Sequence, residues 1–215
     1  LFDDEINFDR NWLDDSRRYY TNIVGKYGAQ VQAVLKKASA LDIRMICPLH
    51  GPVWRSNLSY LLGKYEKWSR YEPEDQAVVI LYGSMYGDTE NAVNVLAGSL
   101  AEAGVKDIAV YDVSNLIAEA FRCSHIVLAA PTYNAGLYPA MEAVLLDMKA
   151  LNLQNRVVAV MENGSWAPAA GKQMRAILGE MKNMQVLEGG VTIQSSLKTE
   201  KLEALNQLKD QILAT

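Results

Sequence analysis

The most constraining feature of this chain is an alternation of short apolar runs and helix-patterned segments that starts at Gln76 and runs to the C-terminal end. Ala77-Val78-Val79-Ile80-Leu81-Tyr82 is a near-continuous apolar run, the pattern of a strand buried on both faces of a parallel sheet. Ile108-Ala109-Val110-Tyr111, His125-Ile126-Val127-Leu128-Ala129-Ala130, Arg156 to Met161 and a weaker stretch at Gln185–Val191 repeat it. Helical patterns lie between them. One carries Ala92, Val95, Leu96 and Leu100 and ends near Gly104; others cover Leu116 to Phe121, Pro139 to Leu151 and Gly171 to Met181. A last helix, with Thr199 as cap, carries Leu202, Leu205, Leu208 and Ile212. Five strands with interleaved helices predict a doubly wound α/β domain with a five-stranded parallel sheet. Met141, Met148, Met174, Met181 and Met184 follow helical faces and are expected in the core.

Residues 1–75 read differently. Asn11 or Asp14 is placed to cap a helix through Arg17, Arg18, Tyr19, Tyr20, Ile23 and Val24. Tyr27, Val31, Val34 and Leu35 continue an apolar stripe, with a break expected at Gly25 or Gly28. Ile43-Arg44-Met45-Ile46 reads as a short strand ended by Cys47-Pro48-Leu49-His50-Gly51-Pro52, and Leu58 to Trp68 as a helix. The stretch Tyr71-Glu72-Pro73-Glu74-Asp75 then marks a domain boundary, dividing the chain into 1–75 and 76–215. The first part holds 11 acidic and 11 basic residues and the second 14 and 10, so the net charge of -4 sits on the second. Arg17-Arg18 and Lys36-Lys37 are expected as solvated helix faces, and Asp3-Asp4-Glu5 as an exposed acidic stretch.

Composition removes several function classes. The acidic balance argues against a nucleic-acid surface, and no apolar run reaches the roughly 18 residues of a membrane span. Two cysteines, Cys47 and Cys123, make no disulfide framework and suit a reducing cytoplasm; both are expected as small apolar fillers. Two histidines, His50 and His125, cannot complete a His-rich metal site, and His125 is expected in a packing or edge role. The chain opens on Leu1 without an initiator Met or a leader pattern, which suggests a piece of something longer.

In an open α/β sheet, ligands bind beyond the carboxyl ends of the strands. The loop after the first strand, Gly83-Ser84-Met85-Tyr86-Gly87-Asp88-Thr89-Glu90, offers hydroxyls and glycines just before a helix, a setting that suits an anion. It lacks Lys and Arg, and neither GxxxxGK[ST] nor GxGxxG is present, so a monophosphate held by neutral donors fits better than a triphosphate. An ordinary capped turn with Asp88 or Thr89 as N-cap is the alternative. The loops Pro131-Thr132-Tyr133-Asn134-Ala135-Gly136-Leu137-Tyr138-Pro139 and Glu162-Asn163-Gly164-Ser165-Trp166-Ala167-Pro168 mix aromatic faces with Gly and amides. Together the three loops describe a planar ligand with a phosphate tail.

Ser84-Met85-Tyr86-Gly87-Asp88-Thr89 resembles the Ser/Thr-x-Thr-Gly-x-Thr loop that holds the FMN phosphate in flavodoxins, with Tyr86 in place of the commoner Thr. The segment Met45-Ile46-Cys47-Pro48-Leu49-His50-Gly51-Pro52-Val53-Trp54-Arg55, followed by such a domain, is similar to the junction in flavodiiron proteins. Arg17-Arg18-Tyr19-Tyr20-Thr21-Asn22-Ile23-Val24 and Pro131-Thr132-Tyr133-Asn134 are similar to segments of that family as well. The resemblance covers the whole chain. It implies a flavodoxin-like sheet preceded by a helix-rich remnant of a metallo-β-lactamase-like domain. It further implies FMN as cofactor, with Ser84, Thr89 and the Met85, Tyr86, Gly87 and Asp88 backbone on the phosphate. Pro131, Thr132, Tyr133, Asn134, Ala135, Gly136, Asn163, Gly164, Ser165 and Trp166 would then lie around the flavin ring.

For the parent protein the resemblance implies an oxidoreductase reducing O2 or NO at two irons, fed by a rubredoxin-like or flavin-reductase partner, in a head-to-tail homodimer. His50 matches the family's late metal ligand. The His-x-Glu-x-Asp-His run and the other ligands are missing from this chain, which is therefore expected to bind flavin and not to hold iron or carry the reductase activity alone. Rival readings are a free-standing electron carrier, a quinone reductase using a nicotinamide nucleotide, and a flavin-free interaction module. A phosphoacceptor receiver is disfavoured, because Gly83-Ser84 and Pro131-Thr132 stand where it needs acidic residues.

Overall fold

A computed structural model describes residues 1–113 and 117–215. Among these, α1 is Phe8–Asn11, α2 Leu13–Val24, α3 Gly28–Ala38 and α4 Leu58–Ser69; then follow β1 Asp75–Tyr82, α5 Asp88–Glu102, β2 Ile108–Asp112 and α6 Ile117–Arg122. The chain continues through β3 Cys123–Tyr133, β4 Gly136–Leu137, α7 Pro139–Ala150, β5 Arg156–Asn163, α8 Ala170–Gly179, β6 Met184–Ile193 and α9 Leu202–Leu213. The expected start of the short sixth helix, Leu116, lies outside the described residues.

The sheet runs in the order β2-β1-β3-β5-β6 with every neighbouring pair parallel, and β4 adds a short antiparallel pairing on β3. Alternate residues of the long strands enter opposite layers. Val79, Leu81, Ile126, Leu128, Val158 and Val160 join Met141, Leu145, Met148, Met174 and Leu178 from α7 and α8 on one face. Val78, Ile80, Val127, Ala129, Ala159 and Met161 join Leu96, Leu100, Leu205, Leu208 and Ile212 from α5 and α9 on the other. This two-sided burial, worth roughly 1.5–3 kcal/mol for each large apolar side chain, is why these strands are apolar at consecutive positions.

Several local expectations change. Ile43–Ile46 makes no strand: Ile46 alone pairs, with Trp54, and Ile43 and Met45 are exposed because no second strand lies alongside them. The capping residue at the start is Asn7, whose side chain accepts from the Arg10 N–H at 3.0 Å, whereas α2 begins at Leu13 without a side-chain cap. Thr199 does not cap α9 but opens a short 3-10 turn over Thr199–Lys201 ahead of it. The break between α2 and α3 is a 3-10 turn over Gly25–Tyr27. Gly28 is needed there because a Cβ would meet the Ser69 carbonyl oxygen of α4 at 2.3 Å.

The largest corrections concern charge. Arg17 is not on a solvated face: it is buried and paired with Glu74, itself buried in the acidic boundary stretch, while Arg18 next to it is exposed. Glu74 also accepts from Lys64 Nζ at 2.8 Å and Trp68 Nε1 at 2.6 Å. Burial works against its ionisation, but the hydrogen bonds and charge of Arg17, with Lys64 and Trp68, outweigh it and hold the carboxyl below its ordinary value. Asp3 is likewise engaged, its carboxylate accepting from the backbone of Arg55, Ser56 and Asn57. Cys47 is exposed, so it fills no core; Cys123 is buried, and burial pushes its thiol up to about 12.

His125 is packed on the central strand, its Nδ1 2.8 Å from Ser124 Oγ and its Nε2 3.1 Å from Thr215 Oγ1. Arg156, also buried, donates to the carbonyls of Tyr71 at 2.7 Å, Ala120 at 2.9 Å and Phe121 at 2.6 Å. It thereby ties the boundary stretch and the end of α6 to β5.

Candidate functional site

The carboxyl ends of β1, β3, β5 and β6 converge on one rim. After β1 the chain turns through Gly83–Gly87 and enters α5 at Asp88. Gly87 sits at φ +87°, a left-handed conformation costly for any other residue, and its N–H donates to Ser84 Oγ at 3.1 Å. Asp88 and Thr89 are therefore the first residues of the helix rather than its caps, and no side chain caps α5. Thr89 is buried, with its hydroxyl oxygen 3.4 Å from the Asn163 amide that donates to it.

A cavity of about 120 Å³ opens here. It is lined by Ser84, Met85, Tyr86, Asp88, Thr89, Pro131, Thr132, Asn163, Gly164 and Ser165, together with Ser195. Ten of the residues singled out in the three loops thus meet at one place. Gly87 shapes the turn without lining the cavity.

Asn134 and Ala135 do something different from lining: both have positive φ and form the two-residue turn of the β3–β4 hairpin, with Tyr133 paired to Gly136. The turn presents Tyr133 half-exposed at the rim, and Trp166 stands there almost fully in solvent, at 96 % exposure.

Ser195, just past β6, is a residue that sequence reasoning missed. Its N–H donates to Asn163 Oδ1 at 3.1 Å, its carbonyl accepts from Asn163 Nδ2 at 2.9 Å, and its hydroxyl lies 3.1 Å from that of Ser165. The rule that picked the other loops, strand ends in an open sheet, also covers Ser195 once the fifth strand is carried on to Ile193.

Of the helix N-termini at this end of the sheet, those of α5 and α8 border the cavity and differ. At α8, Thr132 Oγ1 accepts from the N–H groups of Ala169 and Ala170 at 2.9 and 3.2 Å, and Glu162 accepts from Gly171 at 2.8 Å. That terminus is filled by the protein itself. At α5, no side chain among the described residues accepts from Asp88, Thr89 or Glu90 N–H. Free N–H donors, the helix dipole and the Ser84 and Thr89 hydroxyls leave a cradle for an anion there.

A scan against family models matches the flavodoxin model over residues 80–206, more than half of the chain. The chain belongs to the flavodoxin family. Over its whole length this flavodoxin-family chain is similar to longer proteins. The nitric oxide reductase of Moorella thermoacetica is 25% identical over 99% of this chain and 54% of its own length. The solved rubredoxin oxygen:oxidoreductase of Desulfovibrio gigas is 24% identical, with a TM-score of 0.87, over 99% of this chain and 54% of its own. A flavodoxin from the domain Archaea is 18% identical with a TM-score of 0.58, over 64% of this chain but 96% of its own. The chain spans about half the length of the curated relatives it matches, and it aligns with the C-terminal part of flavodiiron proteins.

His50 lies away from this rim. It is exposed, its ring 5.2 Å from that of Tyr19, in a groove of about 680 Å³ between α2 and the Pro48–Pro52 turn. Among the described residues no group of three or more His, Cys, Asp or Glu side chains is placed so that it could hold a metal ion. The residues present therefore do not fit a two-iron centre. No described helix is long and apolar enough to cross a membrane.

Proposed function

We propose that this chain is an FMN-binding electron-transfer unit. The carrying observation is the uncapped start of α5, with Ser84 and buried Thr89 beside it, on the rim that also exposes Tyr133 and Trp166. The residues fit the group: neutral donors for one phosphate at the closed end, aromatic faces for a flat ring at the open one. The α5 N–H groups and the two hydroxyls bind the phosphate. Tyr133 and Trp166 flank the ring, and Asn163 holds the Ser195 loop against Thr89. FMN supplies the redox chemistry; the chain positions it and shields part of it from water.

The reading extends to the parent protein. Residues 1–75 are then the closing part of a metallo-β-lactamase-like domain and 76–215 the flavin domain of a flavodiiron oxidoreductase. Its substrates are O2 and/or NO, its donor a rubredoxin-like protein or flavin reductase, its setting the cytoplasm. It works as a head-to-tail homodimer that brings one subunit's flavin to the other's metals, with His50 as one ligand among several supplied from outside this chain. The Moorella and Desulfovibrio relatives, named for nitric oxide and for rubredoxin and oxygen, support that reading.

The test is a titration of the purified chain with FMN followed by its visible spectrum. A stoichiometric, yellow complex is expected, weakened at least tenfold by Thr89→Ala. A folded, colourless protein that takes up no FMN overturns the reading.

A further inference from the structure

We propose that Asn163 is a positioning residue for the phosphate end of this site. Its side-chain amide, clamped on the backbone of Ser195, donates to Thr89 Oγ1 and so leaves the Thr89 hydroxyl hydrogen for an acceptor in the cavity. The proposal rests on the FMN reading and gives Asn163 a role at the phosphate, not beside the ring.

Asn163 is the last residue of β5 and is buried. The parallel ladder pairs it with Ile193, and the Gly164 N–H donates to the Ile193 carbonyl at 2.9 Å. Beyond that point the Asn163 amide takes over from the ladder. Its Oδ1 accepts from the Ser195 N–H at 3.1 Å, and its Nδ2 donates to the Ser195 carbonyl at 2.9 Å. A backbone N–H can only donate and a carbonyl can only accept, so these two bonds fix which way the amide faces. They also hold Ser195 at φ +63°, a left-handed conformation that a residue with a Cβ rarely adopts.

The same Nδ2 reaches Thr89 Oγ1, 3.4 Å away. Thr89 carries the buried hydroxyl of the cavity wall, at 2 % exposure. Having accepted from Asn163, that hydroxyl has one hydrogen to give, and no acceptor for it lies among the described residues. As the second residue of α5, Thr89 has no helical carbonyl four residues behind it to take the hydrogen. A buried donor without a partner is costly, whereas a phosphate oxygen facing it makes a charge-assisted hydrogen bond. An amide turned the other way would accept the hydroxyl hydrogen itself. The clamp on Ser195 prevents that turn.

FMN and riboflavin affinities of the whole chain, read by quenching of flavin fluorescence, separate this role from a ring contact. Asn163→Leu keeps the side chain's size and removes its amide. It should weaken FMN about fivefold, the loss of roughly one hydrogen bond, and leave riboflavin, which lacks the phosphate, unchanged. In a Thr89→Val background the same substitution should cost FMN less than about twofold, because the hydroxyl it positions is gone. Ser195→Pro, at an exposed loop position, removes both the N–H and the positive φ. It should repeat the pattern of Asn163→Leu, and it carries the test if that variant does not fold. Equal losses for both flavins overturn the proposal, as do losses from Asn163→Leu and Thr89→Val that simply add, or FMN binding that neither Asn163→Leu nor Ser195→Pro changes. A wild-type chain, folded by circular dichroism, that binds neither flavin defeats the FMN reading and the proposal with it.

Discussion

Residues 75–215 close over their apolar side chains on both faces of the sheet, and the large apolar groups they leave in water cluster largely at the ligand rim: Met85, Tyr86, Tyr133 and Trp166. Residues 1–71 gather Phe8, Trp54 and Leu61 into a small core, pack Tyr20 and Trp68 against each other beside it, and leave Tyr19, Ile23, Tyr27, Val34, Leu41, Met45 and Leu49 exposed. Grooves of about 680 and 650 Å³ run along this exposed side. The difference separates a region whose burial is satisfied from one whose apolar surface is still open. The joint between them is nonetheless firm, because Glu74 of the boundary stretch is held by Arg17, Lys64 and Trp68 of the first region.

Breaking that joint should have the largest effect. Glu74→Ala leaves the buried Arg17 only Asp14 at 2.9 Å and Glu119 at 3.7 Å as partners, and should cost about 3 kcal/mol, read by urea denaturation. Two separate transitions in place of one would show that the regions had been coupled through this residue. The sign with pH follows from the lowered carboxyl: its stabilisation is present above the ordinary value of 4.5 and is lost as pH falls through the folded value. The gap between wild type and Glu74→Gln should accordingly narrow on acidification.

A large effect is also expected inside the closed region. Leu128→Ala, on the central strand with no solvent exposure, should cost about 2–5 kcal/mol by the same denaturation.

A smaller effect concerns His125. Burial lowers its affinity for a proton in the fold, so the unfolded chain takes up more protons once pH drops below its ordinary 6.5. Stability should therefore decline from pH 7 downwards, reaching its full loss below the folded value, and His125→Gln should flatten that decline in thermal melts. The smallest effect is expected in the open region: Ile23→Ser, on an exposed groove wall, should shift stability by less than about 0.5 kcal/mol. A cost several times larger would mean that the groove is covered in solution.

The five parallel strands were legible in the sequence because two-sided burial keeps the middles of β1, β3 and β5 apolar at consecutive positions, while the edge strand β6, half-exposed, gave the weaker pattern; their centres were placed correctly and their ends too short. The three loops were legible through one topological rule, and ten of their residues do meet at the cavity. What stayed hidden was the division of labour within them. Thr132 and Glu162 fill the α8 terminus, Asn134 and Ala135 build a hairpin, and Asn163 bridges Thr89 to Ser195 across 74 and 32 residues. Arg17 beside Arg18 looks like an ordinary charged helix face, since its partner lies 57 residues away.

By itself, then, the sequence determined the parallel sheet, the helices that cover it and the rim on which the three loops meet, because apolar periodicity and glycine positions act locally. Only the tertiary structure decided which helix terminus stays open, which charges are buried and what Asn163 holds. Those outcomes depend on partners brought together by the strand crossovers, whose side chains compete for the same few backbone donors.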